Sequence, residues 1–505
     1  WTELDEVYGR RLSVLLASEP DDEEGADGTA VQVEELRFSM AVLHEEMLED
    51  TPGAIDIYRT VLEADGSNLR AAQALDRLFG AEGRHEELSE NLNLQLGLVE
   101  DDEERRVVQC RLAALLVGHL YRVEDAIALY GEVLAEDAGF TDAREALEAL
   151  IASHPDHQLA VAEVLEPIYR AGNEWDSLTR VLEIRIAASH DPETRVAYLH
   201  EAAALRETYL GDAPEAFDTI ARALREDNRH EHSIAELYRL AESTGMWSDL
   251  VGVFANEVAG AGDPDLIAGL EMRIAAIQED YLGDVVAATD HYRSVLEHAP
   301  EHAGAIGHLE RIFQAQEQWE ELVGVLLRKA PLTDDVAARK DILFRAATIR
   351  EDMLGEAPEA ISTYERVLEL DPADGTSIEN LERLYLGHER WSDLIELYQR
   401  KLGLAEMDSE RRDLHFLMGA VYEEHLEDAY RAIDAYQAAL ELDSNDVDAL
   451  GVLDRLYGAT QQWNQLLEML QRQIGLASAP NDVLALRYRV GALFEKHMGD
   501  VPEAI

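Results

Sequence analysis

The sequence predicts an all-α chain: a solenoid of stacked antiparallel helix hairpins. Three observations predict it. All six tryptophans fall on a ruler, and the last five (Trp175, Trp247, Trp319, Trp391, Trp463) are each 72 residues apart. An alanine keeps the same interval at Ala216, Ala288, Ala360, Ala432 and Ala504, and again from Ala54 to Ala126. The punctuation between the marks is helical throughout, with no alternating strand pattern and no clustering of β-branched residues. Self-similarity at a fixed interval is the signature of a repeat architecture.

The stretch "LGEAPEAISTYERVLELDP", Leu354 to Pro372, shows how one unit is written. Gly355 ends a helix, Pro358 sits in the first turn of the next, where a missing N–H does no harm, and Asp371-Pro372 stops it. Gly211, Gly283 and Gly499 with Pro214 and Pro502 repeat the same punctuation. The unit Trp391 to Gln462 divides into four helices. The first is "WSDLIELYQRKLGLA", with Leu394, Leu397, Tyr398 and Leu402 at helical spacing. The second is "RRDLHFLMGAVYEEHL" from about Arg411. The third is "AYRAIDAYQAALEL", closed by "DSND". The fourth, "DVDALGVLDRLYGA", runs into the next Trp. Short connections make successive helices antiparallel neighbours. No hairpin can bury its own apolar face, so each copy must present the same face to the copy before it.

The ruler divides the chain into double repeats at 1–84, 85–174, 175–246, 247–318, 319–390 and 391–462, with a cut unit at 463–505. Two units are long. In the first, the excess coincides with the acidic stretch "SEPDDEEGADGTA", Ser18 to Ala30, predicted to be a solvated loop; the ligand spacing of a calcium loop is not met, since Gly25 falls where an oxygen ligand is required. In the second, "LIASHPDHQLAVAEVLEP", Leu150 to Pro167, adds about one helix, and a hinge is expected near His154-Pro155. Both ends fall inside a repeat, which predicts a segment of a longer protein.

These residues resemble the tetratricopeptide repeat family. In the hairpin Asp341 to Asp374, Ala360, Tyr364 and Pro372 fall at the family's small, aromatic and proline positions, Phe344 at the bulky first-helix position and Ala347 at an apolar one. Thr348 and Glu351 stand where the family has glycine and tyrosine. The second hairpin of each unit is the more divergent, with Leu394 and Tyr398 at the small and aromatic places and Tyr385 in its first helix. The resemblance covers essentially the whole chain. It implies a right-handed superhelix whose groove is lined by the first helix of each hairpin, and it implies binding of protein partners, not catalysis.

Charge narrows the partner. The 505 residues carry 104 acidic and 43 basic side chains, a net charge of −61. Such a surface repels nucleic-acid phosphates and anionic membranes, and it suits basic partners or simply keeps a long particle soluble. Only Lys329, Lys340, Lys401 and Lys496 are lysines. No apolar run is long enough to span a bilayer. One cysteine, Cys110, excludes a disulfide framework and a thiolate zinc site, and reads as a small buried apolar residue.

No phosphate loop, dinucleotide fingerprint or nucleophile elbow is present. His298 and His302 have metal-pair spacing, but Pro300 interrupts the helix between them, and "RHEH" (His230, His232) occupies the equivalent turn of another unit. No catalytic residue, metal or cofactor is expected. The recurring polar residues are arginines: Arg77, Arg239, Arg311, Arg383 and Arg455 in L-x-R-L-[YF]-like phrases, with Arg273, Arg345 and Arg489 as a second row. On the groove-lining helices they form a ladder able to clamp a partner's carboxylates, or they pair with acids of the repeat such as Glu379 or Glu382. Each tryptophan is expected to pack against the preceding hairpin with its N–H near the surface.

The expected function is a non-enzymatic scaffold binding protein or peptide partners, basic ones among them. Two other readings accompany it: a structural or self-assembling element, and the targeting arm of an enzyme whose catalytic domain lies elsewhere. Residence in the cytoplasm is the default expectation.

Overall fold

The computed structural model describes residues 1–17 and 23–498. All regular structure among them is helical. The chain divides into two compact units, Trp1–Val253 and Phe254–Ile505.

In the first unit the helices run consecutively from Thr2–Ala17 to Glu231–Thr244, each packed on its sequence neighbour. One core extends from Ala41 to Leu205. The acidic stretch departs from expectation: a single helix, Glu23–Glu46, already covers residues 23 to 30, so only Ser18 to Asp22 of the proposed loop lie outside the described residues. The extra material of the second repeat is one helix. Residues 85–174 hold five helices, with Thr141–Ser153 and Gln158–Gly172 joined by a single 3-10 turn at Pro155–His157.

The second unit repeats the same order from Pro264–Ile277 onward. Its apolar residues form one cluster spanning Ala268 to Ile349 and another spanning Ala347 to Leu493. The four helices read from Trp391 to Gln462 appear as Trp391–Leu404, Asp408–Glu424, Ala429–Leu442 and Val447–Ala459. Gly499 and Pro502 lie outside the described residues.

The alanines on the ruler have no exposure among the described residues. Ala54, Ala126, Ala216, Ala288, Ala360 and Ala432 are completely buried. Only a methyl group fits where the second helix of a hairpin crosses the first, so the position tolerates no larger side chain without separating the helices. Four residues later, Tyr58, Tyr130, Tyr292, Tyr364 and Tyr436 are buried one turn along the same face. The leucine three residues after four of the tryptophans (Leu178, Leu250, Leu322, Leu394) is fully buried as well.

The six first helices that precede Ala54, Ala126, Ala216, Ala288, Ala360 and Ala432 end in the same closure. The N–H donors of Asp50, Arg122, Asp212, Asp284, Glu356 and Asp428 reach back to carbonyls six residues earlier, at 2.8–3.0 Å. The bond is one residue wider than the Schellman bond, and like it needs a left-handed residue just before the donor. Gly211, Gly283 and Gly355 supply it with φ of 70°, 69° and 69°. Glu49, Tyr121 and Glu427 hold the same place at φ 54°, 55° and 52° without being glycine. Ahead of the three glycines the helix loosens into a five-residue π turn, at Arg206–Leu210, Gln278–Leu282 and Arg350–Leu354. The side chains of Asp50, Asp212, Asp284 and Asp428 then cap the following helix. That satisfies N–H groups left orphaned by the turn.

The tryptophans correct one expectation. Trp175, Trp391 and Trp463 are half-buried and stack on the following hairpin: on Tyr209 at 4.2 Å, His425 at 3.7 Å and His497 at 3.9 Å between ring centroids. His85, which replaces Trp in its unit, stacks on His119 at 3.9 Å. Trp247 has a ring of the preceding helix beside it, Tyr238 at 6.2 Å. The ring bridges forward because it opens the second helix of its hairpin, which the next first helix must cover.

Candidate functional site

The first helices of the hairpins carry two rows of ion pairs, and every arginine of the first predicted row belongs to one. Arg77 pairs with Glu45, Arg239 with Glu207, Arg311 with Glu279, Arg383 with Glu351 and Arg455 with Glu423. The separation is 32 residues in each case. The partner acids therefore lie on the first helix of the hairpin before, not at Glu379 or Glu382. Arg239 engages Glu207 through two bonds, at 2.5 and 2.7 Å. The glutamates are the sheltered members: the Glu279 side chain is 8% exposed, against 61% for Arg311.

Buried tyrosines complete the row. The hydroxyl of Tyr292 donates to Glu279 at 2.9 Å, and those of Tyr58 and Tyr364 approach Glu45 and Glu351 at 3.4 and 3.3 Å. His308 lies 3.1 Å from Glu279. Burial pushes the Glu279 carboxyl up, but Arg311, Tyr292 and His308 together outweigh it and hold it below the ordinary carboxylate range. Burial, then the charge of Glu45, pushes Tyr58 up to about 12.

The second row runs in parallel. Arg345 bonds Glu310 at 2.6 Å, and Lys329 bonds the same acid at 2.7 Å. Arg489 grips Asp454 through two bonds at 2.5 and 2.6 Å, and Arg111 bonds Asp76 at 2.7 Å. Glu166 receives Arg170 and Arg185. Arg273 occupies the same register on the helix Pro264–Ile277. The ladder of arginines expected to face a ligand thus joins one hairpin to the next. Sequence reasoning missed the acids, although Glu207, Glu279, Glu351 and Glu423 keep the 72-residue interval as faithfully as the arginines do.

The predicted histidine turn is a capping device. His230 and His302 begin their helices and accept from the N–H groups of Ser233 and Ala305, at 3.2 and 3.1 Å, where Asp374 and Asp446 do so in other units. Cys110 is buried, and burial pushes its thiol up to about 11. No group of metal-ligating residues occurs among the described residues. No helix among them is long and apolar enough to cross a membrane.

Between successive first helices lies a cavity that recurs in both units. In the second unit it lies between the helices Gly375–Gly387 and Asp408–Glu424 and has a volume of about 680 Å³. In the first, at the matching register between Leu69–Glu82 and Asp102–Gly118, it has about 770 Å³. Matching positions hold Val99 and Ala405, Val108 and Leu414, Glu104 and Glu410. Four positions differ in kind: Gln73, Gln95, Val107 and Arg111 in the first stand where Glu379, Lys401, Asp413 and Leu417 do in the second.

The family model of the tetratricopeptide repeat matches residues 377–412, which take in the helices Gly375–Gly387 and Trp391–Leu404 and the first residues of Asp408–Glu424. It falls on the hairpin whose family positions are the more divergent, not on Asp341–Asp374. Among solved structures, MamA 41-end from Desulfovibrio magneticus RS-1 is similar at 17% identity, over 34% of this chain and 92% of that one, with a TM-score of 0.21. The APC/C hetero-tetramer Cut9–Hcn1 is similar at 13% identity over 90% and 96%, TM-score 0.20. YrrB, described as a TPR protein with an unusual peptide-binding site, is similar at 15% identity over 39% and 96%, TM-score 0.20. No curated protein matches the chain. Residues 377–412 are a tetratricopeptide repeat, set in a frame of helices that the chain repeats every 72 residues.

Proposed function

We propose that the chain is a non-enzymatic scaffold that binds basic protein or peptide segments along the first helices of its hairpins. The observation that carries this reading is the cavity repeated at one register in both units, rimmed by acids and floored by apolar side chains. In this reading the arginines hold the helices in register and the acids do the recognising. Arg77, Arg239, Arg311, Arg383 and Arg455 are each matched by an internal glutamate, as Arg345 and Arg489 are by Glu310 and Asp454. The surplus of 104 acidic over 43 basic side chains is then what a partner meets. It attracts cationic segments at long range and weakens with salt.

The test is a panel of equal-length peptides, basic, neutral and acidic, titrated against the whole chain at several salt concentrations. Basic peptides should bind, and more weakly as salt rises. Equal binding of acidic peptides, or no binding at all, would overturn the reading.

A further inference from the structure

We propose that the cavity walled by residues 375–417 selects an aliphatic side chain flanked by lysine or arginine in the partner segment, and that Leu417 sets this preference. The inference rests on the protein-binding reading above. It starts from a substitution within the repeat. At the register of Leu417, Arg111, Arg345 and Arg489 each reach across to an acid on the preceding first helix: Asp76, Glu310 and Asp454. A leucine there cannot do so. Glu382, the matching acid, is satisfied instead by Lys401 at 2.8 Å and by the Tyr398 hydroxyl at 3.1 Å. The pair closes without help from position 417, and Leu417 remains 42% exposed.

Leu404 faces the same cavity and is also 42% exposed, while Ile378 and Leu414 lie buried at its floor. Each exposed leucine alone would mean little, but two of them on one concave wall make a socket for an apolar group. The rim fixes the charge of the occupant. Glu379 and Glu410 line the cavity and have no ion pair among the described residues, whereas Asp413 is engaged by Arg412. An aliphatic side chain entering between them brings its neighbours against free carboxylates, so those neighbours are cationic. A second copy of this chain is a poor occupant, because two surfaces of net charge −61 repel.

The experiment uses the whole chain and two labelled peptides, Lys-Lys-Leu-Lys-Lys and Lys-Lys-Gly-Lys-Lys, followed by fluorescence anisotropy. Burying one leucine should favour the first peptide by roughly ten- to a hundred-fold. Leu417→Arg installs the residue that the fold already carries at this register in four other units, as Arg111, Arg273, Arg345 and Arg489, so the helices should remain intact, which circular dichroism checks. It should abolish the preference for leucine over glycine. The ratio is the readout, because the added charge weakens both peptides alike. A leucine preference that survives Leu417→Arg would overturn the inference. Equal binding of both peptides to the unaltered chain would overturn it too, while leaving the basic-partner reading standing. Failure of both peptides to bind would sink the two together.

Discussion

Glu279 offers the sharpest test of how the hairpins are joined. Its carboxylate accepts from Arg311, from Tyr292 at 2.9 Å and from His308 at 3.1 Å, while itself only 8% exposed. Glu279→Ala leaves the fully buried Tyr292 hydroxyl with His308 alone, at 3.1 Å. Losing a buried acceptor costs about 1–3 kcal/mol. Arg311 is 61% exposed and regains water, so its share is at most ~1 kcal/mol. The sum is about 1–4 kcal/mol. Arg311→Ala should cost about 1 kcal/mol, because Tyr292 and His308 still shelter the carboxylate. The double variant should cost less than the two singles added, by about 1 kcal/mol. An array of this kind does not unfold as one unit, so the assay is hydrogen exchange resolved by helix. Amides of Val285–His298 and Ala303–Ala315 should lose protection, while those of Ala429–Leu442 serve as the internal control. The pH dependence carries a sign. Glu279 titrates below its ordinary range in the fold, so its contribution is present above that range and disappears as pH falls through the folded value. The reasoning fails if Arg311→Ala is as damaging as Glu279→Ala, or if Glu279→Ala costs under about 0.5 kcal/mol.

Other expectations follow from the same geometry. Glu389 and Glu317 hold a left-handed conformation, both at φ 56°, so Glu389→Gly or Glu317→Gly should raise the thermal midpoint, with a gain of about 0.5–1 kcal/mol. Gly355→Ala, at φ 69°, should lower it by about 1 kcal/mol. Leu394→Ala, at a fully buried position, should cost about 2–5 kcal/mol in denaturant unfolding. His200 lies against His232 and His230, with Ser233 at 2.8 Å and Glu236 nearby. Burial, then the two imidazoles, lowers it to about 4. The unfolded chain, with an ordinary value of about 6.5, then takes the proton first, so stability should fall as pH drops from about 6.5 toward about 4. A shallower slope in His200→Gln than in the unaltered chain is the expected result of paired melts across that range.

How far the sequence could be read depended on how each position enforces its residue. A buried alanine where two helices cross excludes every larger side chain, so Ala216, Ala288, Ala360 and Ala432 recur without exception and can be seen by eye. The left-handed caps are different, because the strain of a non-glycine residue costs only about 1–2 kcal/mol and a deep array absorbs it. Gly211, Gly283 and Gly355 announced their turns, whereas Glu49, Tyr121 and Glu427 make the same turn in silence. The second family of caps is quieter still. Gly83 and Gly245 share it with Asn173, Glu317, Glu389 and Gln461. The π turns left no mark in composition at all.

The site was legible in position but not in role. Arginine every 72 residues was plain, yet an arginine looks the same whether it clamps a ligand or a neighbouring helix. What distinguishes the two is a partner at fixed separation, and that partner was hidden among 104 acids until the 32-residue pairing appeared. The distinction has a consequence for where recognition resides. Residues that every repeat must keep to hold its neighbour cannot vary with the ligand, so specificity falls to positions where the ladder is interrupted. Leu417 is such a position: the acid beside it is already matched by Lys401, and the side chain is released from structural duty. In a chain built from copies, the departure from the copy is where selectivity for a partner can be written without loosening the stack.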